Sequence, residues 1–112
     1  MENFKIEEFN CRCCGANKMN PDFLNKLQEA KTMANTKFII SSGYRCEKHN
    51  AEIGSTSNNH TTGVAADIVC SRGSQRHEIM RALIKAGFKR FGLGEQYIHV
   101  DSNDRPNCIW IY

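Results

Sequence analysis

The chain has 112 residues, of which 40% are hydrophobic and 24% are charged. This length suits one domain, because a second core would leave each half too small, and the composition excludes disordered, collagenous and low-complexity proteins. A net charge of +3, spread along the chain, is too weak to indicate nucleic-acid binding, and no stretch approaches the roughly 18 apolar residues of a membrane helix. We therefore expect residues 1–112 to form a single domain, with no nucleic-acid partner and no membrane insertion.

The N-terminal segment, residues 1–19, is polar and carries three of the six cysteines. Its acidic start lacks the apolar stretch of a secretory signal, so we expect synthesis in the cytoplasm, where thiols are reduced. Cys11 and Cys14 form a C-x-x-C pair, but a structural zinc site needs two more ligands. The fold would have to supply them from Cys46, Cys70 or Cys108. Disulfides formed after release and buried, inert thiols remain alternatives.

Two helices are expected. Asn20 and Pro21 are typical of an N-cap and a first helical position, and apolar residues spaced three and four apart extend this helix to about Asn35. Ser74 is expected to cap a second helix, which ends at Gly87 because glycine favours the position after a helix.

Short β-prone runs are expected to form the sheet, at residues 38–40, 63–69, 88–93, 97–101 and 108–112. The last three follow one another without a helix between them, and their short connections favour antiparallel pairing. The prediction is an α+β fold, with a small antiparallel sheet packed with two main helices.

Two groups of polar residues are placed as a metal site would require. His60 precedes Asp67 by seven positions, and Asp67 interrupts an apolar strand, where a carboxylate needs a partner or a metal. In the run 97–101, alternation puts His99 and Asp101 on one face. Two imidazoles and one carboxylate are a typical ligand set for catalytic zinc, which keeps its fourth position for water. Ordinary hydrogen-bonded polar groups are the alternative.

Four further segments occur in order between Phe9 and Asp101. They are Ser-Gly-Tyr-Arg at 42–45, His-Asn at 49–50, the run from Asn59 to Ile68, and His-Val-Asp at 99–101. Their order and spacing closely resemble the zinc D-Ala-D-Ala carboxypeptidase family. That family is grouped with D-Ala-D-Ala dipeptidases, phage L-alanyl-D-glutamate endolysins and the amino-terminal domain of hedgehog proteins.

The resemblance implies a role for each matching residue. His60, Asp67 and His99 match the ligands of Zn²⁺. Arg45 matches an arginine that faces the substrate and stabilises the oxyanion formed when water attacks the scissile carbonyl. Asp101 matches a residue beside the last ligand, where it would orient the imidazole or the bound water.

The catalytic base is where the sequence departs from the pattern of the family. Relatives place an acid three residues before the last zinc-binding histidine, and this chain has Gln96 there, which cannot accept a proton. Glu95 is therefore the first candidate for the base, and Asp101 is the second. If neither reaches the water, the domain binds metal without cutting.

The resemblance implies a zinc metallopeptidase that cleaves peptidoglycan stem peptides, either as a D-Ala-D-Ala carboxypeptidase or as an L-Ala-D-Glu endopeptidase. Such a protein would be a monomer, a phage or prophage lysis enzyme that acts at the cell wall after release. A catalytically silent zinc-binding module that recognises wall peptides or a protein partner is the main alternative. A cysteine-based redox or zinc-finger-like domain is a more distant one.

Overall fold

A computed structural model describes residues 9–11, 14–15, 17–34, 36–44, 46, 48 and 63–112. The elements in chain order are α1 (Pro21–Met33), β1 (Ile40–Ser42), β2 (Ala65–Val69), α2 (Gly73–Ala86), β3 (Arg90–Leu93), β4 (Tyr97–Asp101) and β5 (Cys108–Ile111). Neither of these two helices has the length and hydropathy that a membrane span requires.

The two helices begin and end on local signals. The side-chain oxygen of Asn20 accepts a hydrogen bond from the backbone N–H of Phe23 at 3.1 Å, which confirms the predicted N-cap of α1. The prediction that Ser74 caps α2 is wrong: the N-cap is Arg72, two residues earlier, and its side chain makes no capping bond. Gly87 ends α2 with a φ of 106°, as predicted.

The strands of the described residues form one sheet in the order β1-β2-β4-β3-β5. The first four pair antiparallel, as predicted, but β5 pairs parallel to β3. The reason lies in the connection at residues 102–107. Arg90 pairs with both Asp101 and Cys108, so this connection passes the start of β3 and places β5 on its other side. A short connection predicts an antiparallel neighbour only when it does not cross over a strand that is already in the sheet.

Strand pairing also shifts some boundaries. The strand predicted at 38–40 is found at Ile40–Ser42, because Ser42 pairs with Asp67 of β2. β2 and β3 each begin two residues later than expected, whereas β4 spans the predicted 97–101.

One face of the sheet packs on both helices. The core cluster joins α1, α2 and the sheet through Phe23, Leu27, Ala30, Ile79, Ala82, Leu83, Ile68, Ile98 and Val100. Ile98 and Val100 alternate with Tyr97, His99 and Asp101, so the polar members of β4 project from the opposite face. The helices therefore support the back of the sheet and leave its polar face for a site.

The segment before α1 lies against the chain at two separate points. The carbonyl of Phe9 accepts a hydrogen bond from the N–H of Tyr44 at 2.8 Å, and a Cβ on Gly43 would lie only 2.6 Å from the Cα of Phe9. Further along, the N–H of Asn20 donates to the carbonyl of Gly63 at 2.8 Å. The N-terminal segment thus holds both ends of the run that contains Arg45 and His60.

Candidate metal centre

A row of four strand partners crosses the polar face of the sheet. Asp67 on β2 pairs with His99 on β4, His99 with Gly92 on β3, and Gly92 with Trp110 on β5. A Cβ on Gly92 would lie 2.5 Å from Nε1 of Trp110. Because Gly92 has no side chain, the ring of Trp110 reaches across it and lies with its centroid 5.4 Å from that of His99.

His99 is held between two carboxylates. Its Nδ1 lies 3.0 Å from Oδ1 of Asp67, and its Nε2 lies 2.8 Å from Oδ2 of Asp101. Burial alone would lower the pKa of His99, but the hydrogen bonds to Asp101 and Asp67 outweigh it and raise the pKa above its usual value. Asp67 was predicted to need a partner because it lies in an apolar strand, and His99 on the neighbouring strand is that partner. The two carboxylates favour a positive charge on the ring of His99.

Asp101 is fixed from a second direction by Arg90. Nε of Arg90 donates to Oδ1 of Asp101 at 2.7 Å, and the N–H of Asn103 donates to the same oxygen at 3.1 Å. Burial raises the pKa of Asp101, but the bonds from His99 and Arg90 outweigh it, so that the pKa is lowered. Both oxygens of the Asp101 carboxylate are therefore hydrogen-bonded. Oδ1 accepts from Arg90 and Asn103, and Oδ2 lies against Nε2 of His99.

Arg90 and Trp110 are site residues that the sequence analysis missed. Arg90 also donates from Nη1 to the carbonyl of Pro106 at 2.7 Å, and its guanidinium lies 5.3 Å from the centroid of the Trp110 ring. Arg90 and Trp110 thus lie against each other, Arg90 beside Asp101 and Trp110 beside His99. Alternation within β3 would place Arg90 and Gly92 on one face, but only the pairing with β4 and β5 shows which residues they meet.

The donor atoms of Asp67 and His99 fit a zinc ion. Two nitrogen or oxygen ligands of a tetrahedral zinc, at bonds of 2.0–2.2 Å, lie about 3.3–3.6 Å apart, so a small outward shift of either side chain would admit the ion. Oδ1 of Asp67 and Nδ1 of His99 are 3.0 Å apart on adjacent strands. The carboxylate of Asp101 on the other ring nitrogen is the partner that commonly orients a metal-bound imidazole.

Comparison with known families decides the identity of the domain. The family model described as Peptidase M15 matches residues 2–101. The chain belongs to the peptidase M15 family. The resemblance stated from its sequence motifs is thereby confirmed, and membership implies a metal-dependent peptidase. A search of curated proteins found no match to the chain.

The remaining predicted site residues of this M15 domain are Arg45, His60 and Glu95. Arg45 and His60 fall outside the described residues. Glu95 is exposed in the hairpin between β3 and β4, where its carbonyl accepts a hydrogen bond from Arg76 of α2 at 3.0 Å. Gln96 is exposed beside it. The structure thus joins Asp67, His99 and Asp101 directly and places Glu95 at one end of β4.

Proposed function

We propose that this M15 domain is a zinc-dependent peptidase that cleaves peptidoglycan stem peptides, as a D-Ala-D-Ala carboxypeptidase or an L-Ala-D-Glu endopeptidase. The observation that carries the proposal is the 3.0 Å separation between Oδ1 of Asp67 and Nδ1 of His99, with Asp101 behind the ring. An isolated ion pair would not need this third group, whereas a metal-bound imidazole commonly has one.

Asp67, His99 and His60 would hold the zinc. A zinc ion in such a site lowers the pKa of water and polarises the substrate carbonyl. Asp67 and His99 lie on adjacent strands, which fixes two of the three ligands before any metal arrives. Because Nε2 of His99 faces the carboxylate of Asp101, the ring keeps its proton there and offers Nδ1 to the metal.

We assign Asp101 a positioning role and keep Glu95 as the candidate base. The lowered pKa of Asp101 makes it a weak proton acceptor, and both of its oxygens are already engaged. Glu95 is exposed on the adjoining hairpin and is the nearest carboxylate in sequence to the expected position of the base. Arg45 would stabilise the oxyanion that forms on the substrate carbonyl.

The cellular setting is part of the same proposal. The resemblance to phage endolysins supports a phage or prophage lysis enzyme that is made in the cytoplasm and acts on the cell wall after release. We expect it to act as a monomer, because the proposed ligands and the candidate base all come from one chain.

The proposal is tested by incubating the zinc-loaded protein with purified cell wall and with synthetic stem peptides. Mass spectrometry of the products should show one cleaved bond, either before the terminal D-Ala or between L-Ala and D-Glu. His99→Ala should abolish the product. His77→Ala removes an exposed histidine from α2 and should retain full activity. Equal product release by both variants would contradict the assignment of His99.

A silent recognition module is the second candidate, and Gln96 is the observation that favours it. A glutamine stands where relatives carry the base, and it cannot accept a proton. The Glu95→Gln variant separates the two functions. Under the peptidase proposal it should retain zinc and lose turnover. Wild-type protein that binds zinc and stem peptides but releases no product would support the recognition module instead.

A further inference from the structure

Three cysteine side chains converge in a cluster that shares no residue with the Asp67 and His99 site. Cys11 and Cys14 come from the N-terminal segment, and Cys46 follows β1. Their Sγ atoms all lie within 4.8 Å of one another. Cys11 is buried, Cys46 is partly buried and Cys14 is exposed. The C-x-x-C pair therefore acquires a third sulfur from a segment more than 30 residues away.

The sulfurs of Cys11 and Cys46 are spaced as metal ligands would be and are not joined in a disulfide. Sγ of Cys11 lies 3.6 Å from Sγ of Cys46, whereas a disulfide bond is about 2.05 Å long. With zinc–sulfur bonds of about 2.3 Å, two thiolates of a tetrahedral site lie about 3.8 Å apart. The observed distance falls close to that value.

The local backbone also holds these sulfurs together. The N–H of Cys46 donates to Sγ of Cys11 at 3.3 Å, so the backbone of one segment is bonded to the sulfur of the other. The N–H of Gly15 donates to the carbonyl of Cys11 at 2.9 Å, and Gly15 has a φ of 73°. This turn brings Cys14 back beside Cys11.

We propose that Cys11, Cys14 and Cys46 bind a structural zinc ion, at a site separate from the one formed by Asp67 and His99. Thiolate ligands in a C-x-x-C spacing are typical of structural zinc, which is held by four ligands. Each cysteine loses its thiol proton to solvent as its sulfur binds the ion. One more donor completes the tetrahedron.

The proposed zinc ion ties the N-terminal segment to the chain beside Arg45. The bond between Phe9 and Tyr44 and the close approach of Gly43 to Phe9 already align the two segments. A metal at Cys11 and Cys46 adds a crosslink two residues beyond the bond between Phe9 and Tyr44 in each segment. If the proposed function holds, this crosslink also fixes the segment from which Arg45 reaches the substrate.

Metal analysis of variants tests the site. Protein purified with zinc under reducing conditions should lose about one equivalent of zinc in Cys14→Ser, relative to wild type. Cys108→Ser makes the same change at another exposed cysteine and should lose none. Asp67→Asn should lose the other equivalent and keep the one bound by sulfur, so failure of the proposed function and failure of this inference give different results. Equal zinc content in Cys14→Ser and Cys108→Ser would overturn the proposal.

Alkylation of the wild-type protein provides a test that does not depend on a variant. In the zinc-loaded protein, an iodoacetamide label should spare Cys14 and modify Cys108, although both are exposed. After treatment with a chelator, both should react. Labelling of Cys14 at the same rate before and after chelation would contradict the site. Mass spectrometry that finds a disulfide between Cys11 and Cys46 in the reduced preparation would also contradict the site. So would elemental analysis that finds iron with inorganic sulfide in place of zinc.

Discussion

At the scale of single residues, the site is organised around one imidazole with a carboxylate at each nitrogen. Asp67 and Asp101 hold the ring of His99 in a fixed orientation. The guanidinium of Arg90 forms an ion pair with the carboxylate oxygen of Asp101 that does not contact His99. The side chain of Asp101 is fully buried and that of Arg90 is 11% exposed. A buried carboxylate is stable there only because it has both partners.

Replacing Asp101 by Asn should therefore weaken both the fold and the metal site. The guanidinium of Arg90 loses its counter-charge, which we expect to cost about 3 kcal/mol of unfolding free energy. Zinc affinity should fall about 10- to 100-fold, because the imidazole loses its orienting carboxylate. Urea denaturation and zinc titration measure the two effects. Asp104→Asn, an exposed acid nearby, is the control and should change stability by less than about 0.5 kcal/mol.

At the scale of elements, strand register decides which side chains meet. Gly92 lies between His99 and Trp110 in the row of partners, and its missing side chain lets the tryptophan ring reach the histidine. The neighbouring row places Arg90 between Asp101 and Cys108. The order of strands thus assembles the site from residues that are far apart in sequence.

Gly92→Ala should displace Trp110 from His99. The added methyl would lie 2.5 Å from Nε1 of Trp110 and 2.7 Å from the ring of Tyr112, so both rings must move. Trp110 is the single tryptophan of the chain, so its emission spectrum reports this site alone. We expect the spectrum to change and stability to fall by about 1 kcal/mol. Gly73→Ala, at a position with open space, should leave the spectrum unchanged.

Gly63 is the point where the chain returns to β2, and it is closely packed. It has a φ of 76°, and a Cβ there would collide with the carbonyl oxygen of Lys18. Gly63→Ala should lower the unfolding free energy by about 2–4 kcal/mol, from backbone strain and backbone collision together. Gly87→Ala carries strain alone, because nothing lies near its Cβ. Equal losses in thermal denaturation of the two variants would show that the contact with Lys18 does not matter.

Local sequence patterns predicted the helices, β4 and the shared face of His99 and Asp101, since each depends on residues close together in the chain. The sequence predicted that Asp67 has a partner, because a carboxylate in an apolar strand requires one, but it did not identify His99 as that partner. Arg90 and Trp110 could not be predicted, because Arg90 meets Asp101 through the register of β3 with β4, and Trp110 reaches His99 only because β5 lies parallel to β3. The convergence of Cys46 with Cys11 and Cys14 likewise depends on tertiary contacts between Phe9 and Tyr44.

At the scale of the whole molecule, the hydrophobic core and the candidate site lie on opposite faces of one sheet. The helices and the apolar members of β2 and β4 form the core behind it, and the polar members of the same strands form the site in front. This arrangement lets rigid strands carry the proposed metal ligands. We propose that this polar face binds the metal of the M15 peptidase.

A zinc titration of metal-depleted protein, followed by the fluorescence of Trp110, tests whether Asp67 and His99 bind zinc on this face. Zinc at Asp67 and His99 would displace the proton from Nδ1 and alter the ring beside Trp110. We predict a saturable change in emission that persists in Cys14→Ser, where the sulfur site is disrupted, and disappears in Asp67→Asn. An unchanged titration in Asp67→Asn would contradict the claim.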